Sequence, residues 1–280
     1  MNVVRNGSSS YPAALMELPD PPRQIFMIGD RRCLEQPLVA IVGTREPTAY
    51  GIRSARSIAS ALAAAGIGVV SGMARGIDSV AHRAAIDVNG QTIAVLGTGI
   101  DVPYPAGHRE LHRVIGTRGL LVSESGPGVR AHKGVFPRRN RIIAGLGRVT
   151  IVVEAGHRSG ALITAGHALH LHRTLAAVPG PIDSPQSEGT NQLLRDGASV
   201  IASVADALAL MGVTEPPQRR PIQLSEIEGA VWSALAGGPL TVDGVAARAS
   251  ASPRECLTAV TSLELKGMVE CLVTGEVRRR

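Results

Sequence analysis

The sequence has 280 residues, of which 44% are hydrophobic and 19% charged, and it contains 32 glycines and 18 prolines. This composition is typical of a globular α/β protein with many tight turns and argues against a disordered chain. The formal net charge of +6 permits nucleic acid, anionic lipid or acidic protein as a partner and selects none of them.

The cysteine content and the hydropathy pattern indicate the compartment. Cys33, Cys256 and Cys271 form neither a C-x-x-C pair nor an even disulfide framework, which is typical of a reducing environment. The sequence contains no run of about 18 apolar residues, and its first ten residues lack the pattern of a signal peptide. We therefore expect a cytoplasmic protein with no membrane partner.

Apolar runs rich in Val and Ile alternate with Ala-rich helical stretches from Leu38 to Met211. This alternation predicts repeated βα units around a mostly parallel sheet with helices on both faces, which is an α/β fold. The predicted strands are 38–42, 69–70, 92–96, 120–122, 149–153 and 174–178.

Turns of small or polar residues follow these strands. They are 43–45, 71–76, 97–99, 123–125 and 154–156. In an open parallel sheet such turns meet at the carboxyl ends of the strands, where these folds bind ligands. The glycines either only form tight turns or lend backbone amides to a phosphate, and the sequence leaves both open.

The chain changes character after Met211, where three prolines interrupt the apolar periodicity. Three predicted helices (about 226–235, 241–249 and 253–265) and a strand pair (268–277) then form a winged-helix arrangement. We expect an N-terminal extension (1–35) packed on the main domain (36–212), a linker (213–222) and a winged-helix domain (223–280).

No nucleotide or metal site is predicted. The nearest match to G-x-G-x-x-G begins at Gly97 and has Val102 where the third glycine belongs, and no P-loop motif is present. The clustered histidines lack a carboxylate or cysteine at ligand spacing. We therefore expect no cofactor and no metal.

Catalytic constellations are also weak. No G-x-S-x-G elbow surrounds the serines that follow strands. Asp78, Glu124 and Glu154 either act as acid and base groups at the carboxyl edge or, as we favour, cap helices and pair with Arg45 and Arg75. We expect a protein that is not an enzyme.

The positive charge is concentrated in one segment that contains no acid. Its cations are Arg130, Lys133, Arg138, Arg139, Arg141 and Arg148. Phe136 lies among them, and a nucleic-acid strand offers phosphates to cations and unstacked bases to a ring face. Alternatively, Phe136 packs into the core beneath a solvated basic helix, and composition does not decide between the two.

Several linked segments are similar, in order and spacing, to one known signature. They are 40–45 (AIVGTR), 71–78 (SGMARGID) with Ala81 and His82, 136–146 (FPRRNRIIAGL), 154–155 with 159–165, 178–180 and 189–191. Together they resemble the DNA-processing protein A family (DprA/Smf) over about residues 11–211.

The resemblance implies an extended Rossmann-like fold that binds single-stranded DNA, forms a homodimer through that domain and loads the RecA recombinase in natural transformation. The family's Gly-Ser-Arg loop falls on Gly43, Thr44 and Arg45, where threonine keeps the hydroxyl, and its Lys-x-x-Phe pair falls on Lys133 and Phe136. Many members have a helical domain ahead of the Tyr-Pro segment. Here Tyr11 and Pro12 lie near the first residue, so functions of that domain are not carried over.

The predicted site combines phosphate contacts with base stacking. Arg45, Lys133 and loop amides hold phosphates, and Phe136 stacks on a base. Arg138, Arg139 and Arg141 add long-range attraction, with at least one turned away from the strand by helical geometry. The predicted single-stranded-DNA site residues are Gly43, Thr44, Arg45, Arg75, Lys133, Phe136, Arg138, Arg139, Asn140 and Arg141.

A rival hypothesis is an enzyme similar to the Rossmann-like nucleotide phosphoribohydrolases, with Glu154 or Glu124 as the acting group. The P-G-G-x-G-T loop of those enzymes is missing. In the tail, acidic and basic residues nearly cancel, so we expect the winged helix to serve interaction or regulation and not to be the DNA site.

Overall fold

The computed structural model describes residues 1–132, 134–213, 224–272 and 275–279. The chain forms two compact units, Met1–Pro217 and Gln218–Arg280. Most of the predicted linker, and also Lys133, lie outside the described residues. None of the described helices is both long enough and apolar enough to cross a membrane.

A single mixed sheet organises the described part of the first unit, with the strand order β1-β2-β6-β5-β4-β3-β7-β8-β9. The strands from β3 to β9 pair in parallel, whereas β1 pairs with β2, and β2 with β6, in antiparallel fashion. The strands are β1 (Asn2–Arg5), β2 (Gln24–Gly29), β3 (Leu38–Val42), β4 (Gly68–Ser71), β5 (Thr92–Leu96), β6 (Leu120–Ser123), β7 (Val149–Val152), β8 (Thr174–Ala177) and β9 (Ser199–Val200).

Helices cover both faces of this sheet. They are α1 (Ala13–Met16), α2 (Ala49–Ala64), α3 (Ile77–Asp87), α4 (Arg109–Arg118), α5 (Val135–Leu146), α6 (Gly160–His170), α7 (Glu188–Arg195) and α8 (Val204–Leu210). One core cluster joins α1, α5 and α6 to the sheet, and a second joins α2, α3 and α8 to it. The predicted mostly parallel α/β fold is confirmed, and the six predicted strands correspond to β3 to β8.

The sequence analysis missed β1, β2 and β9. The N-terminal extension, expected to pack on the domain, supplies β1 and β2 to the sheet itself beyond β6. The pairing of β2 with β6 is antiparallel, so β2 is not part of the alternating βα pattern from which the other strands were predicted. Strand β9 has only two residues, which is too short for a recognisable apolar run. Strands of this kind, at or next to the edges of the sheet, are recognisable mainly through their partners.

The strand order reverses between β3 and β7, which defines a topological switch point. The buried Glu154 accepts hydrogen bonds from Thr48 N (2.9 Å) and Thr48 Oγ1 (2.5 Å), and the Thr48 side chain caps α2. A Cβ at Gly51 would lie 2.1 Å from the Glu154 carboxylate. Glycine is therefore needed where α2 begins against the end of β7.

The second unit is a winged helix. It contains α9 (Glu226–Ala234), α10 (Val242–Ala249), α11 (Pro253–Leu265), β10 (Leu240–Thr241), β11 (Val269–Cys271) and β12 (Glu276–Arg279). The strands pair in the antiparallel order β10-β12-β11, and a separate apolar core includes Val231, Val260 and Leu263. The predicted winged-helix arrangement is confirmed, with β10 as the strand that the sequence analysis missed.

Candidate functional site

The loops after β3 and β4 lie together at the carboxyl edge of the sheet. Thr44 N donates to Glu154 O (2.6 Å), and Ile77 N donates to Thr44 O (3.2 Å), so the loop after β3 is tied to β7 and to α3. Gly76 has a φ of +77°, and a Cβ there would lie 2.3 Å from Thr44 O. These contacts fix the backbone on both sides of the exposed Arg45 side chain.

Phe136, in the first turn of α5, contacts both a cation and a second ring. The Arg45 Cζ atom lies 5.8 Å from the Phe136 ring centroid, within the range of a cation–π interaction. The Tyr104 ring centroid lies 5.0 Å from that of Phe136, with the planes inclined by 32°. A Cβ at Gly97 would come within 3.0 Å of the Phe136 ring, so glycine leaves the room that this ring position needs.

Phe136 is half-buried and belongs to none of the apolar core clusters found among the described residues. It instead forms a shared wall of two clefts. The switch-point cleft, about 520 Å³, is lined by Thr44, Arg45, Phe136 and the start of α6 among others. The aromatic cleft, about 440 Å³, is lined by Arg45, Arg75, Gly97, Tyr104 and Phe136 among others. Both volumes lie in the range of small-molecule and nucleotide pockets.

Arg139 is buried and holds the site together from beneath. Its Nη1 donates to Gly72 O (2.6 Å) and to Val95 O, the carbonyls at the ends of β4 and β5. Its Nε donates to Asn140 Oδ1 (3.2 Å). Burial lowers the pKa of Arg139 to about 10, which leaves the guanidinium charged at neutral pH.

Asp78 faces the same region from α3. Its carboxylate accepts hydrogen bonds from Gly72 N (3.1 Å) and Ala74 N (3.4 Å), which closes the loop after β4. Burial raises the pKa of Asp78, and the charge of Arg139 opposes that rise. A Cβ at Gly72 would lie 2.3 Å from the Arg139 guanidinium, so this loop and this arginine fit only with glycine at position 72.

The arginines of the basic run therefore differ in their surroundings. Arg138 keeps 65% of its side chain exposed, whereas Arg141 keeps 8% and donates to both Glu124 oxygens at 2.8 Å. Asn140 is buried and donates to Gly160 O (3.2 Å) at the start of α6. We expected at least one arginine of the run to turn away from a bound strand, and the structure turns Arg139 and Arg141 inward.

The other predicted site residues lie at the same edge. Gly43 and Thr44 are half-buried and line the switch-point cleft, and the exposed Arg75 lines the aromatic cleft. A Cβ at Gly43 would meet the Ile77 side chain at 2.6 Å, so this glycine allows β3 to pass close to α3. Lys133 lies outside the described residues.

The carboxylates considered for catalysis have structural partners. Glu154 caps the start of α2 through Thr48, Glu124 pairs with Arg141, and Asp78 binds loop amides. These are the structural roles that we favoured, but the arginines beside them are Arg139 and Arg141 and not Arg45 and Arg75. The described residues contain no group of three or more His, Cys, Asp or Glu side chains that could hold a metal ion.

Tyr104 is the site residue that sequence reasoning missed. It lies in the segment between β5 and α4, and it belongs to none of the sequence motifs described above. The sequence has only three tyrosines and two phenylalanines, so each aromatic residue outside an apolar run could have been taken as a candidate site residue. A ring in a polar segment after a strand needs its own explanation.

Several cations have partners within the described part of the second unit. Lys266 Nζ lies 2.5 Å from Glu228 Oε1, and Ser262 Oγ donates a hydrogen bond to the same oxygen. These two contacts lower the pKa of Glu228 to about 2. Arg278 pairs with Glu270, and the Arg279 Cζ atom lies 4.2 Å from the Trp232 ring centroid. Among the described residues of this unit, these contacts engage the cations Lys266, Arg278 and Arg279.

Comparison with known proteins decides the family. The family model described as DNA recombination-mediator protein A matches residues 2–212, and the model of the DprA winged helix domain matches residues 215–273. The chain belongs to this family. The resemblance inferred from the sequence motifs is thereby confirmed.

Relatives extend the match across the chain. The putative DNA processing protein DprA of Mycobacterium tuberculosis (strain H37Rv) is 44% identical over 240 residues, which cover 83% of this chain and 62% of the relative. Protein Smf of Escherichia coli K12 is 38% identical over 290 residues, covering 100% of this chain and 78% of that protein. The chain thus spans less than two thirds of the mycobacterial relative.

Two solved structures are similar in fold and sequence. The X-ray structure of DprA from Streptococcus pneumoniae matches with a TM-score of 0.72 and 42% identity, covering 74% of this chain and 73% of that one. DNA processing protein A from Helicobacter pylori matches with a TM-score of 0.69 and 32% identity, covering 75% of this chain and 95% of that one. The latter is described as giving insight into that protein's single-stranded DNA binding mode.

Proposed function

We propose that this chain binds single-stranded DNA at the carboxyl edge of the sheet in the first unit. The observation that carries the proposal is the placement of the Arg45 guanidinium 5.8 Å from the Phe136 ring centroid, on the wall shared by two clefts. An unpaired base stacks on a ring face, and its phosphate needs a nearby cation. Both groups are present here within one nucleotide's reach.

The cations at this edge are available for a ligand. Within the residues that the structure describes, neither Arg45 nor Arg75 forms an ion pair with a carboxylate. Arg45, Arg75 and, by the resemblance, Lys133 contact phosphates, and Phe136 contacts a base. Gly43 and Thr44 shape the loop that presents Arg45, and Arg138 adds a solvent-exposed charge.

Arg139, Asn140 and Arg141 act beneath the surface. Their contacts with strand-end carbonyls, with the start of α6 and with Glu124 hold α5 in place. Arg139 and Asn140 also line the switch-point cleft, but the polar atoms that form these bonds already have partners within the fold. Their main part in binding is to position Phe136 and the start of α5.

Two consequences follow for the ligand. Duplex DNA keeps its bases stacked, so single strands are preferred. Phosphate and sugar contacts carry no sequence information, so little sequence preference is expected.

The bound strand is delivered to the RecA recombinase, and the chain works in the cytoplasm as a homodimer formed through the first unit. Membership of a family described as recombination mediators supports the delivery to a recombinase. The homodimer, the cytoplasmic location and a role in natural transformation are proposed from the resemblance. Its test is RecA filament assembly on strands that are covered with single-strand-binding protein. Addition of this protein should shorten the lag before assembly.

The rival enzyme hypothesis gains no supporting observation. A phosphoribohydrolase needs a carboxylate that is free to act on the substrate, and Glu154 and Glu124 are both held by partners within the fold. Release of base from nucleoside monophosphates would favour the rival. Binding of oligo-dT without turnover favours the proposal.

The test of the proposal compares two arginine variants of the same charge change. Arg45→Ala should weaken binding to all single strands by about 1–3 kcal/mol, because a charge-assisted contact is lost. Arg148→Ala is the matched control, because Arg148 is exposed and its N–H donates to Leu38 O at the opposite, amino edge of the sheet.

Fluorescence anisotropy with oligo-dT and with a duplex, each at several salt concentrations, measures these effects. For single strands the logarithm of affinity should fall with that of salt, with a slope near −0.7 per phosphate neutralised. An affinity that does not depend on salt would contradict the proposal. Equal losses in Arg45→Ala and Arg148→Ala would show that binding does not occur at this edge.

A further inference from the structure

The aromatic side chains of the first unit divide into two groups. Tyr11 is buried and donates to Pro22 O (2.8 Å), Phe26 is buried, and the Tyr50 hydroxyl donates to Pro179 O (2.9 Å). These three have clear roles in the fold. The remaining two, Tyr104 and Phe136, lie beside each other at the aromatic cleft.

Tyr104 has no comparable structural role. Tyr104 is 41% exposed and Tyr50 is 38% exposed, so the two differ in their hydroxyl contacts and not in exposure. Among the described residues the Tyr104 hydroxyl has no hydrogen-bond partner, in contrast to those of Tyr11 and Tyr50. Both the ring face and the hydroxyl are therefore available to a ligand.

The surroundings of Tyr104 suit an unpaired base. Its ring and that of Phe136 are 5.0 Å apart and inclined by 32°, in the range of an offset stacked pair. Arg45 approaches the Phe136 ring, and Arg75 lines the same cleft, so cations lie beside this pair. Gly97 and Thr98 form the adjoining wall without a bulky side chain.

We propose that Tyr104 is a second base-stacking residue, which receives an unpaired nucleobase on the exposed face of its ring. Phe136 packs against the Tyr104 ring from the other side. The inference rests on the proposed function and adds to it a stacking surface that lies on the β5–α4 segment instead of on α5. A phosphate of the same strand is held by Arg75. Every base has a ring face, so this contact adds affinity with little sequence preference.

The first experiment measures oligo-dT affinity of the full chain by fluorescence anisotropy. Tyr104→Leu removes the ring and keeps an apolar side chain, and it should weaken binding about 5- to 150-fold, the usual range for one stacked base. Tyr104→Phe keeps the ring and should bind within about threefold of the unaltered protein. Because no charge is lost, the salt dependence should stay the same in both.

Tyr50→Leu is the control, since Tyr50 is another exposed tyrosine and does not line either cleft. It should leave affinity unchanged. If Tyr104→Leu binds as tightly as the unaltered protein, the inference is wrong and the proposed function stands. If the unaltered protein does not bind oligo-dT, the proposed function fails and the inference fails with it.

A second experiment addresses the case in which Tyr104→Leu acts only by displacing Phe136. Oligo-dT containing 5-iododeoxyuridine is photo-crosslinked to the unaltered protein, which is then digested with trypsin. The tryptic peptide 84–109 contains Tyr104 and no other Tyr, Phe or Trp. The peptide 134–138 contains Phe136 and no other Tyr, Phe or Trp. Crosslinks on 84–109 support the inference, and crosslinks confined to 134–138 overturn it.

Discussion

Replacement of Arg139 by methionine is expected to destabilise the first unit, although this arginine lies in the basic run at the proposed DNA site. The Arg139 guanidinium donates to Gly72 O (2.6 Å) and Val95 O, and its Nε donates to Asn140 Oδ1 (3.2 Å). Methionine keeps most of the apolar stem but donates no hydrogen bond. Two buried strand-end carbonyls would then lose their side-chain donor.

The magnitude follows from two opposing effects. Each buried acceptor that loses its partner costs about 1–3 kcal/mol, and the buried Asp78 also loses a nearby cation. Against this, methionine removes the cost of burying a guanidinium, which amounts to several kcal/mol. Removal of one partner of a buried charge pair has a net cost of about 3–5 kcal/mol, and we expect a loss at the lower end of this range in the free energy of unfolding. A loss of that size leaves most domains folded at room temperature.

Arg138→Met is the matched control. Arg138 is 65% exposed and makes a single 3.3 Å contact with Glu124, so its replacement should change stability by less than about 1 kcal/mol. Urea unfolding followed by circular dichroism measures both variants. Trp232, the only tryptophan, lies in the second unit, and its fluorescence should report an unchanged transition there.

The result that refutes this reasoning is specific. If Arg139→Met unfolds at the same urea concentration as Arg138→Met while losing affinity for single strands, Arg139 contacts the ligand directly. We expect the opposite outcome, in which Arg139→Met loses stability. The protein that stays folded should also bind single strands more weakly, because Phe136 is misplaced.

Phe136→Ala should lose about 1–3 kcal/mol of single-strand affinity with the salt slope nearly unchanged, and a melting temperature several degrees lower would instead place the ring in the core. Burial lowers the pKa of His82 to about 3, so between pH 6.5 and 3 the unfolded chain binds a proton that the folded chain does not. Unfolding free energy should therefore fall by about 2 kcal/mol from pH 7 to pH 5, and His82→Gln should reduce that fall; equal pH profiles in urea titrations would contradict this. A chain ending at Gly212 should keep its single-strand affinity within about 1 kcal/mol, and a tenfold loss with intact circular dichroism would make the second unit part of the DNA site.

The central strands were predictable because burial on both faces leaves a local record in the sequence. Every residue of β3 and β5 is buried. Val, Ile, Leu and Ala fill the whole of β3, and they fill β5 after its first residue, Thr92. The positions of β1 and β2 were not predictable in this way, because their place in the sheet depends on antiparallel pairing with β6. Local periodicity contains no information about such a partner.

The sequence by itself determined the family, the α/β class and the segment that concentrates positive charge, because each of these depends on residue types at short spacing. Only the tertiary structure decided which arginines of that segment face solvent. Arg138 and Arg139 are adjacent and chemically identical, but each helical residue turns by about 100°, so one side chain points outward and the next points towards the ends of β4 and β5. Likewise, only the chain path places Tyr104 beside Phe136, since the two rings belong to segments that follow different strands and meet where those strands end.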